Sequence, residues 1–318
     1  MNSINVSGQE MAPPRKQAKK VTRLSLRQQD RRVAWLLVIP ALIIIVGITL
    51  QPILTTLYLS FFDKELGLNT PQIFVGFGNY MSFLQDTSFW ETITRTLYFT
   101  LNSVGLELIL GIAFAQLIST HPPGWQFLRI SLIIPWAIPT IVNGAVWKTI
   151  YNSDYGALNA LLMQLGIINH YVPWLNDPNR AMNLIILADV WHTVPFIALI
   201  MQAAMSTLPA ELDEAAAVDG ASAWQRFFRI RLPLLRSAIL VALIIRTVEA
   251  FRVFDIIYII TFGAPANGTV TISFQTYLET FSNHHLGSGA ALSFLVSAFT
   301  LIMALVYMRF LYKPRGES

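Results

Sequence analysis

The sequence predicts an all-α, polytopic integral membrane protein with six transmembrane helices and both termini in the cytosol. Three observations carry that expectation. Of 318 residues, 54% are hydrophobic and 13% charged, too few charges to clothe a water-facing surface. The apolar residues gather into six runs, each long enough to cross a bilayer, which takes roughly 17–25 residues. The cations are also distributed asymmetrically about those runs.

The runs are 33–61, 93–119, 128–150, 181–205, 234–262 and 289–311. They are continuous and lack the period-two alternation of membrane strands, so they read as helices, not as a barrel. The first is too long for a removable leader and has no small-residue cleavage site behind it, so it is expected to be retained. The domain expectation is a basic arm at 1–32, a membrane domain at 33–312 and a short tail at 313–318. If the spans alternate, sixteen of the 22 Lys and Arg share one side, eight of them in the arm (Arg15, Lys16, Lys19, Lys20, Arg23, Arg27, Arg31 and Arg32). That side is the cytosol. The arm reads as a topology signal touching anionic lipid, with no nucleic-acid partner implied.

Proline punctuates the runs. Pro40 and Pro52 in the first, Pro135 and Pro139 in the third and Pro195 in the fourth each remove a backbone donor and are expected to kink a helix or mark its end. The outer loops at 63–92, 151–180 and 263–288 are long and rich in aromatic residues, which predicts ordered structure at the membrane interface. The segment 157–165 reads as a short amphipathic helix along the membrane. The chain has no cysteine, which excludes disulfides and thiolate chemistry, and no metal-ligand cluster is evident.

The cytosolic segment at 207–233 is the most informative. Pro209 suits a first helical position, Glu211, Asp213 and Glu214 favour the positive end of a helix, and Gly220 permits a left-handed stop. Ser222 with Gln225 makes a capping box that opens a second helix. The first of these helices is rich in alanine, so it presents a narrow, smooth surface able to enter a groove on another protein. Within the segment stand Glu214-Ala215-Ala216, then Gly220, then Ile230, Leu232 and Pro233. This resembles the EAA loop between helices 4 and 5 of the membrane subunits of binding-protein-dependent ABC importers. Val75-Gly-Phe-Gly-Asn79-Tyr80, Val190-Trp191 with Pro195-Phe196, and Ala250-Phe-Arg-Val-Phe-Asp-Ile-Ile-Tyr258 are similar to the carbohydrate branch, to the first permease of the trehalose and maltose type. Thr261-Phe-Gly-Ala-Pro265 departs from it, since relatives carry a glycine run there.

The resemblance implies a transport subunit that is not itself an enzyme. It implies a heterodimer with a second, non-identical permease, two ATPase subunits that hold ATP and Mg, an extracytoplasmic solute-binding protein, and a bacterial cytoplasmic membrane. No Gly-x-x-x-x-Gly-Lys-[Ser/Thr] loop occurs, in keeping with nucleotide chemistry on other chains. The ATPase-coupling residues it implies are Glu211, Glu214, Ala215, Ala216, Asp219, Gly220, Ile230, Leu232 and Pro233.

Charged groups within spans are costly and indicate function or pairing. In the fifth run Arg246, Glu249, Ala250 and Val253 recur at i, i+3, i+4 and i+7, one helical face, with Arg252 and Asp255 on a neighbouring stripe. By resemblance to the maltose system that face, together with His192, Thr193 and Phe196, contacts the solute. The pairs Arg246–Glu249 and Arg252–Asp255 also read as internal ion pairs, and Glu107 and Asp189 are unassigned. The solutes that fit are trehalose, maltose, another α-glycoside, a compatible-solute glycoside or glycerol phosphate. An ion-coupled secondary transporter stands as the alternative class, and it leaves the 207–233 segment unexplained.

Overall fold

A computed structural model of the chain describes residues 26–67, 71–120 and 123–311. Residues 1–25 of the expected arm and the tail at 313–318 lie outside the described residues. The chain divides into two compact units, 1–54 and 55–318. The described part of the first is helical, the bulk of α1 (Leu26–Leu59), which contains Pro40 and Pro52 without ending at either.

The second unit is built on helices, with one small sheet that the all-α expectation did not contain. Strands β1 (Phe62–Lys64) and β2 (Gln72–Phe74) pair antiparallel, Phe62 opposite Phe74 and Lys64 opposite Gln72. Asn79, on α2 (Gly78–Gln85), ties this hairpin down by donating from Nδ2 to the carbonyls of Ser60 and Phe62, 2.9 Å each. Helix α3 (Thr87–Ser119) starts at Asp86, whose carboxylate accepts from the Ser88 N–H, an N-cap that satisfies an orphan donor. Then follow α4 (Trp125–Ala137), α5 (Thr140–Ile150), α6 (Ala157–Gln164) and α7 (Pro178–Met205). The short α6 occupies the segment read as an amphipathic helix.

The core of the unit is the α3–α7 pair. In lipid the hydrophobic effect cannot press two helices together, so close approach through small residues and dispersion contacts must. Gly111, Ala115, Ala188 and Ala198 supply them, and a Cβ on Gly111 would overlap the side chain of Ile197. Ile185, Ile197, Met201 and Phe99 are fully buried around this seam. Thr96 and Thr100 return their hydroxyls to carbonyls one turn back, which hides polar atoms that hydrocarbon cannot solvate.

Two of the predicted spans are broken. The third is the pair α4–α5, bent by 98°, and the cause is local. Ile138 precedes Pro139, whose ring pushes it out of the helical region, and it sits at φ −76°, ψ 132°. The fifth is α10 (Leu232–Leu234), α11 (Arg236–Phe251) and α12 (Asp255–Ile260). Its helix stops before Val253, so Val253 does not lie on a continuous helical face with Arg246, as the spacing predicted. Thr271 Oγ1 donates to the freed Val253 carbonyl at 3.0 Å, which is how a broken helix is tolerated at membrane depth. Between α7 and α10 lie α8 (Ala210–Val218), α9 (Ala223–Arg226) and a π-helical turn, Phe227–Arg231. The chain closes with α13 (Ile272–Tyr277), a second π turn at Leu278–Ser282, and α14 (Leu286–Leu311). Among the described residues, α1, α3, α7 and α14 contain segments long and apolar enough to cross a bilayer, and the bent α4–α5 pair adds a fifth if it is one span.

Candidate functional site

A cavity of about 420 Å³ opens where the two broken segments meet α7. His192, Thr193 and Phe196 from α7, with Arg246, Glu249, Ala250 and Val253 from α11 and its break, all line it. The seven residues expected to contact solute are thus brought to one place. The bent pair contributes Trp136, Thr140 and Asn143, which the sequence reading missed although Pro135 and Pro139 mark the spot.

Some of the polar groups are fixed by the breaks themselves. The carbonyl of Ile138, left open by the bend, lies 2.9 Å from His192 Nε2. A carbonyl only accepts, so Nε2 carries the proton and donates. Thr140 Oγ1 donates to Asp255 Oδ2 at 2.8 Å. Asp255 therefore ties the two breaks together, and the expected Arg252–Asp255 ion pair is not formed. The guanidinium of Arg252 lines the cavity without an ion pair among the described residues. Trp136 stacks on Phe196, centroids 5.8 Å apart and planes 23° off parallel, making an aromatic wall. Asn143 is 2% exposed, and its Oδ1 has no hydrogen-bond partner among the described residues.

In the cavity wall Arg246 joins three helices. Its Nε and Nη2 form a bidentate pair with Glu107 of α3, at 2.7 and 2.9 Å. Its Nη1 reaches Glu249 at 2.7 Å, as one of the two expected pairs required, and its Nη2 lies 3.4 Å from Asp189 of α7. Ser103 Oγ lies 2.8 Å from Glu107 and 2.6 Å from Asp189. Glu107 and Asp189, unassigned by sequence, are thus partners of the embedded arginine. Nothing in the spacing of positions 107, 189 and 246 could have revealed this, because tertiary packing alone brings them together.

The 207–233 segment has the divided form its sequence predicts. Gly220 takes φ +80°, and the Ala221 N–H bonds back to the Ala216 carbonyl at 2.9 Å, the left-handed stop with its long return bond. The Ser222–Gln225 capping box is complete in both directions. Glu211, Glu214, Ala215, Asp219 and Gly220 are exposed, as is Pro233, while Ala216, Ile230 and Leu232 are half-buried. What the sequence did not reveal is the clamp. Asp213 accepts from Arg231 Nε and Nη2, at 3.0 and 2.8 Å, and from Arg226 Nη1 at 3.1 Å. The Arg231 hydrogen bonds, joined by the charges of both arginines, hold the Asp213 carboxyl below the usual carboxylate range. Glu214, Ile230 and Arg231 border a hollow of about 370 Å³ between this segment and the end of α7.

Residues 107–313 match the family model described as "Binding-protein-dependent transport system inner membrane component". The chain is 37% identical to the trehalose/maltose transport system permease protein MalF of Thermococcus litoralis, over 89% of this chain and 95% of that one. It is 39% identical to the sulfoquinovosyl glycerol transport system permease protein SmoG of Agrobacterium fabrum (88% and 90% covered). With the trehalose transport system permease protein SugA of Mycobacterium tuberculosis the figures are 34%, 93% and 94%. Among solved structures, a bacterial ABC transporter involved in the import of the acidic polysaccharide alginate has a chain that superposes with TM-score 0.76, 22% identity, and 89% and 97% coverage, a likeness of fold.

Proposed function

Because the chain belongs to the inner membrane components of binding-protein-dependent transport systems, we propose that it is the first permease of a disaccharide importer of the trehalose/maltose type. In this reading six spans cross the bacterial cytoplasmic membrane with both termini inside. The chain pairs with a second, non-identical permease, an outer solute-binding protein delivers the sugar, and two ATPase subunits supply ATP and Mg chemistry. Residues 207–233 seat in a cleft of the ATPase, with Glu214 as anchor and Gly220 as the turn. Closure of the ATPase pair on ATP rocks the helices from inward- to outward-facing.

The observation that carries the sugar assignment is the composition of the cavity. A sugar needs hydrogen-bonding groups around its hydroxyls and an aromatic ring for its apolar face. Here Thr193, Arg252 and the open Asn143 Oδ1 provide the former, and the Trp136–Phe196 stack the latter. The cavity lining holds three carboxylates, Asp189, Glu249 and Asp255, against two guanidinium groups, of which Arg246 already gives four of its five N–H donors to Glu107, Asp189 and Glu249. A neutral glycoside therefore suits it better than glycerol phosphate or a sulfonated sugar. The test is uptake of labelled trehalose and maltose into proteoliposomes holding the four membrane and ATPase chains with the binding protein outside. Uptake dependent on ATP supports the reading, and failure of every neutral disaccharide to be transported or to stimulate hydrolysis overturns it.

A further inference from the structure

The hydroxyls of Thr96, Thr100, Ser119, Ser293 and Thr300 all return to the carbonyl four residues back, the ordinary way to hide polar atoms from hydrocarbon. Asn143 is not closed in this way. Five buried side-chain N or O atoms have no hydrogen-bond partner among the described residues, and Asn143 Oδ1 alone among them belongs both to a buried residue and to the cavity wall.

Its orientation is set by α7. Asn143 sits in the first turn of α5, straight after the bend, and its Nδ2 donates to the Ala188 carbonyl at 3.4 Å. A carbonyl only accepts, so the amide nitrogen faces α7 and Oδ1 faces the other way. Beside it Gly144 brings α5 against α12, where a Cβ would stand 3.1 Å from Ile259, so the backbone carrying Asn143 is held. The Nδ2 bond is long, and the amide can swing Oδ1 to the cavity surface while its nitrogen keeps the carbonyl. What Oδ1 needs is a donor. Several donors of the wall are committed elsewhere: His192 Nε2 to the Ile138 carbonyl, Thr140 Oγ1 to Asp255, and Arg246 to three carboxylates. A sugar hydroxyl can donate there; an ether, phosphate or sulfonate oxygen cannot.

We propose that Asn143 is a specificity-determining residue of the cavity: its Oδ1 accepts the proton of one particular hydroxyl of the sugar, and a solute that brings a C–H group to that point is rejected. The inference deepens the reading of the chain as a disaccharide importer and rests on it. A buried acceptor left facing a C–H group is unpaired, which is how a site built for a hydroxyl discriminates against the analogue without it. The experiment uses the complete complex in proteoliposomes, with the binding protein outside, and compares trehalose with its symmetric dideoxy analogues, each lacking one hydroxyl position on both rings. Symmetric analogues are needed because either ring of trehalose can face Asn143. Each analogue is read as the ratio of trehalose uptake to its own, in wild type and in Asn143→Leu, so differences in protein amount cancel. Discrimination by the binding protein is common to both complexes and cancels between them. For one analogue the wild-type ratio is expected to exceed the variant's about five- to fiftyfold, the penalty of an unpaired buried acceptor, while the other ratios agree. If Asn143→Leu does not assemble, Asn143→Ala removes the same acceptor and is read in the same way. Ratios that agree for every analogue overturn the proposal and leave Asn143 as a tie between α5 and α7. A uniform shift of all ratios also overturns it, since that reports a distorted cavity. Wild-type complex that moves no trehalose overturns the importer reading, and this site with it, a result distinct from both.

Discussion

Arg246→Met removes the group on which three helices converge, and the size of the effect can be worked from its contacts. The Glu249 carboxylate is 56% exposed, so that pair is screened and contributes about 0–1 kcal/mol. Asp189, at 3.4 Å and 16% exposed, lies at the limit of hydrogen bonding and adds little more. Glu107 is different: it is wholly buried and doubly bonded to the guanidinium at 2.7 and 2.9 Å. Stripping the partner from a buried ion pair costs about 3–5 kcal/mol, most of it the penalty of the orphaned charge. The single variant is therefore expected to lose about 3–5 kcal/mol in equilibrium unfolding of the detergent-solubilised complex. Glu107→Gln combined with Arg246→Met removes the orphan and should recover at least half of that loss. A single variant within about 1 kcal/mol of wild type, less than a buried pair can account for, would refute the argument. So would a double variant no better than the single.

The remaining predictions concern the loop and the bend. Asp213→Ala opens the clamp to Arg226 and Arg231, whose side chains are about a quarter exposed, so stability should fall only by about 0.5–1 kcal/mol while trehalose-stimulated ATP hydrolysis drops; unchanged stimulation counts against the clamp. Because the Asp213 carboxyl titrates below its ordinary value, its contribution is complete above the unfolded value near 4 and lost only as pH falls through the lowered one. Stimulated hydrolysis should therefore show no inflection from Asp213 between about pH 5 and 8, and a wild-type step there that Asp213→Asn abolishes would contradict this. Gly220→Val places a β-branched residue at φ +80° in otherwise open space, so strain alone should cost about 1–2 kcal/mol. That variant and Glu214→Lys should uncouple hydrolysis from solute while the chain still inserts, and wild-type coupling in both sinks the docking assignment. His192→Ala removes the donor to the half-buried Ile138 carbonyl, a loss of about 0.5–1.5 kcal/mol, and should raise the KM for trehalose; an unchanged KM argues that the bend holds without it.

The parts legible in the sequence were those written in local chemistry. The capping box at Ser222 and Gln225, the stop at Gly220 and the interruption at Pro139 each follow from a few adjacent residues, and the helices form accordingly. Membrane runs were legible because length and hydropathy suffice. The break at 252–254 was not, since an apolar run with period-compatible charges reads as one helix. The break depends on Thr271, 18 residues beyond Val253, donating to the opened carbonyl. Glu107 and Asp189 were visible as embedded charges without visible partners, because a sequence displays only near-neighbour pairs such as Arg246 with Glu249, which does form, and not the contacts of Arg246 with Glu107 and Asp189. The hairpin β1–β2 was hidden by its brevity, three residues a strand.

The loop and the cavity are joined by the shortest route the fold allows. The segment 206–235 connects α7 to α11, and these two helices carry six of the seven expected solute contacts, Val253 lying just past the end of α11. From Met205 to His192 is 13 residues and from Arg236 to Arg246 is 10 by their numbers, or about 20 and 15 Å of helix at 1.5 Å per residue. Under the proposed coupling role, a displacement applied to α8 and clamped by Asp213 would travel along these helices to the cavity, with Pro195 the one interruption in the α7 stretch. There the two helices are not free to move alone, because Arg246 ties α11 to Glu107 of α3 and to Asp189 of α7. Backbone at cavity depth open to such motion lies at the two breaks, 138–139 and 252–254, which Thr140 and Asp255 join by one hydrogen bond of 2.8 Å, and at Pro195 within α7. On this reading the embedded charges hold the moving bundle together, and the breaks around them are where the cavity changes shape.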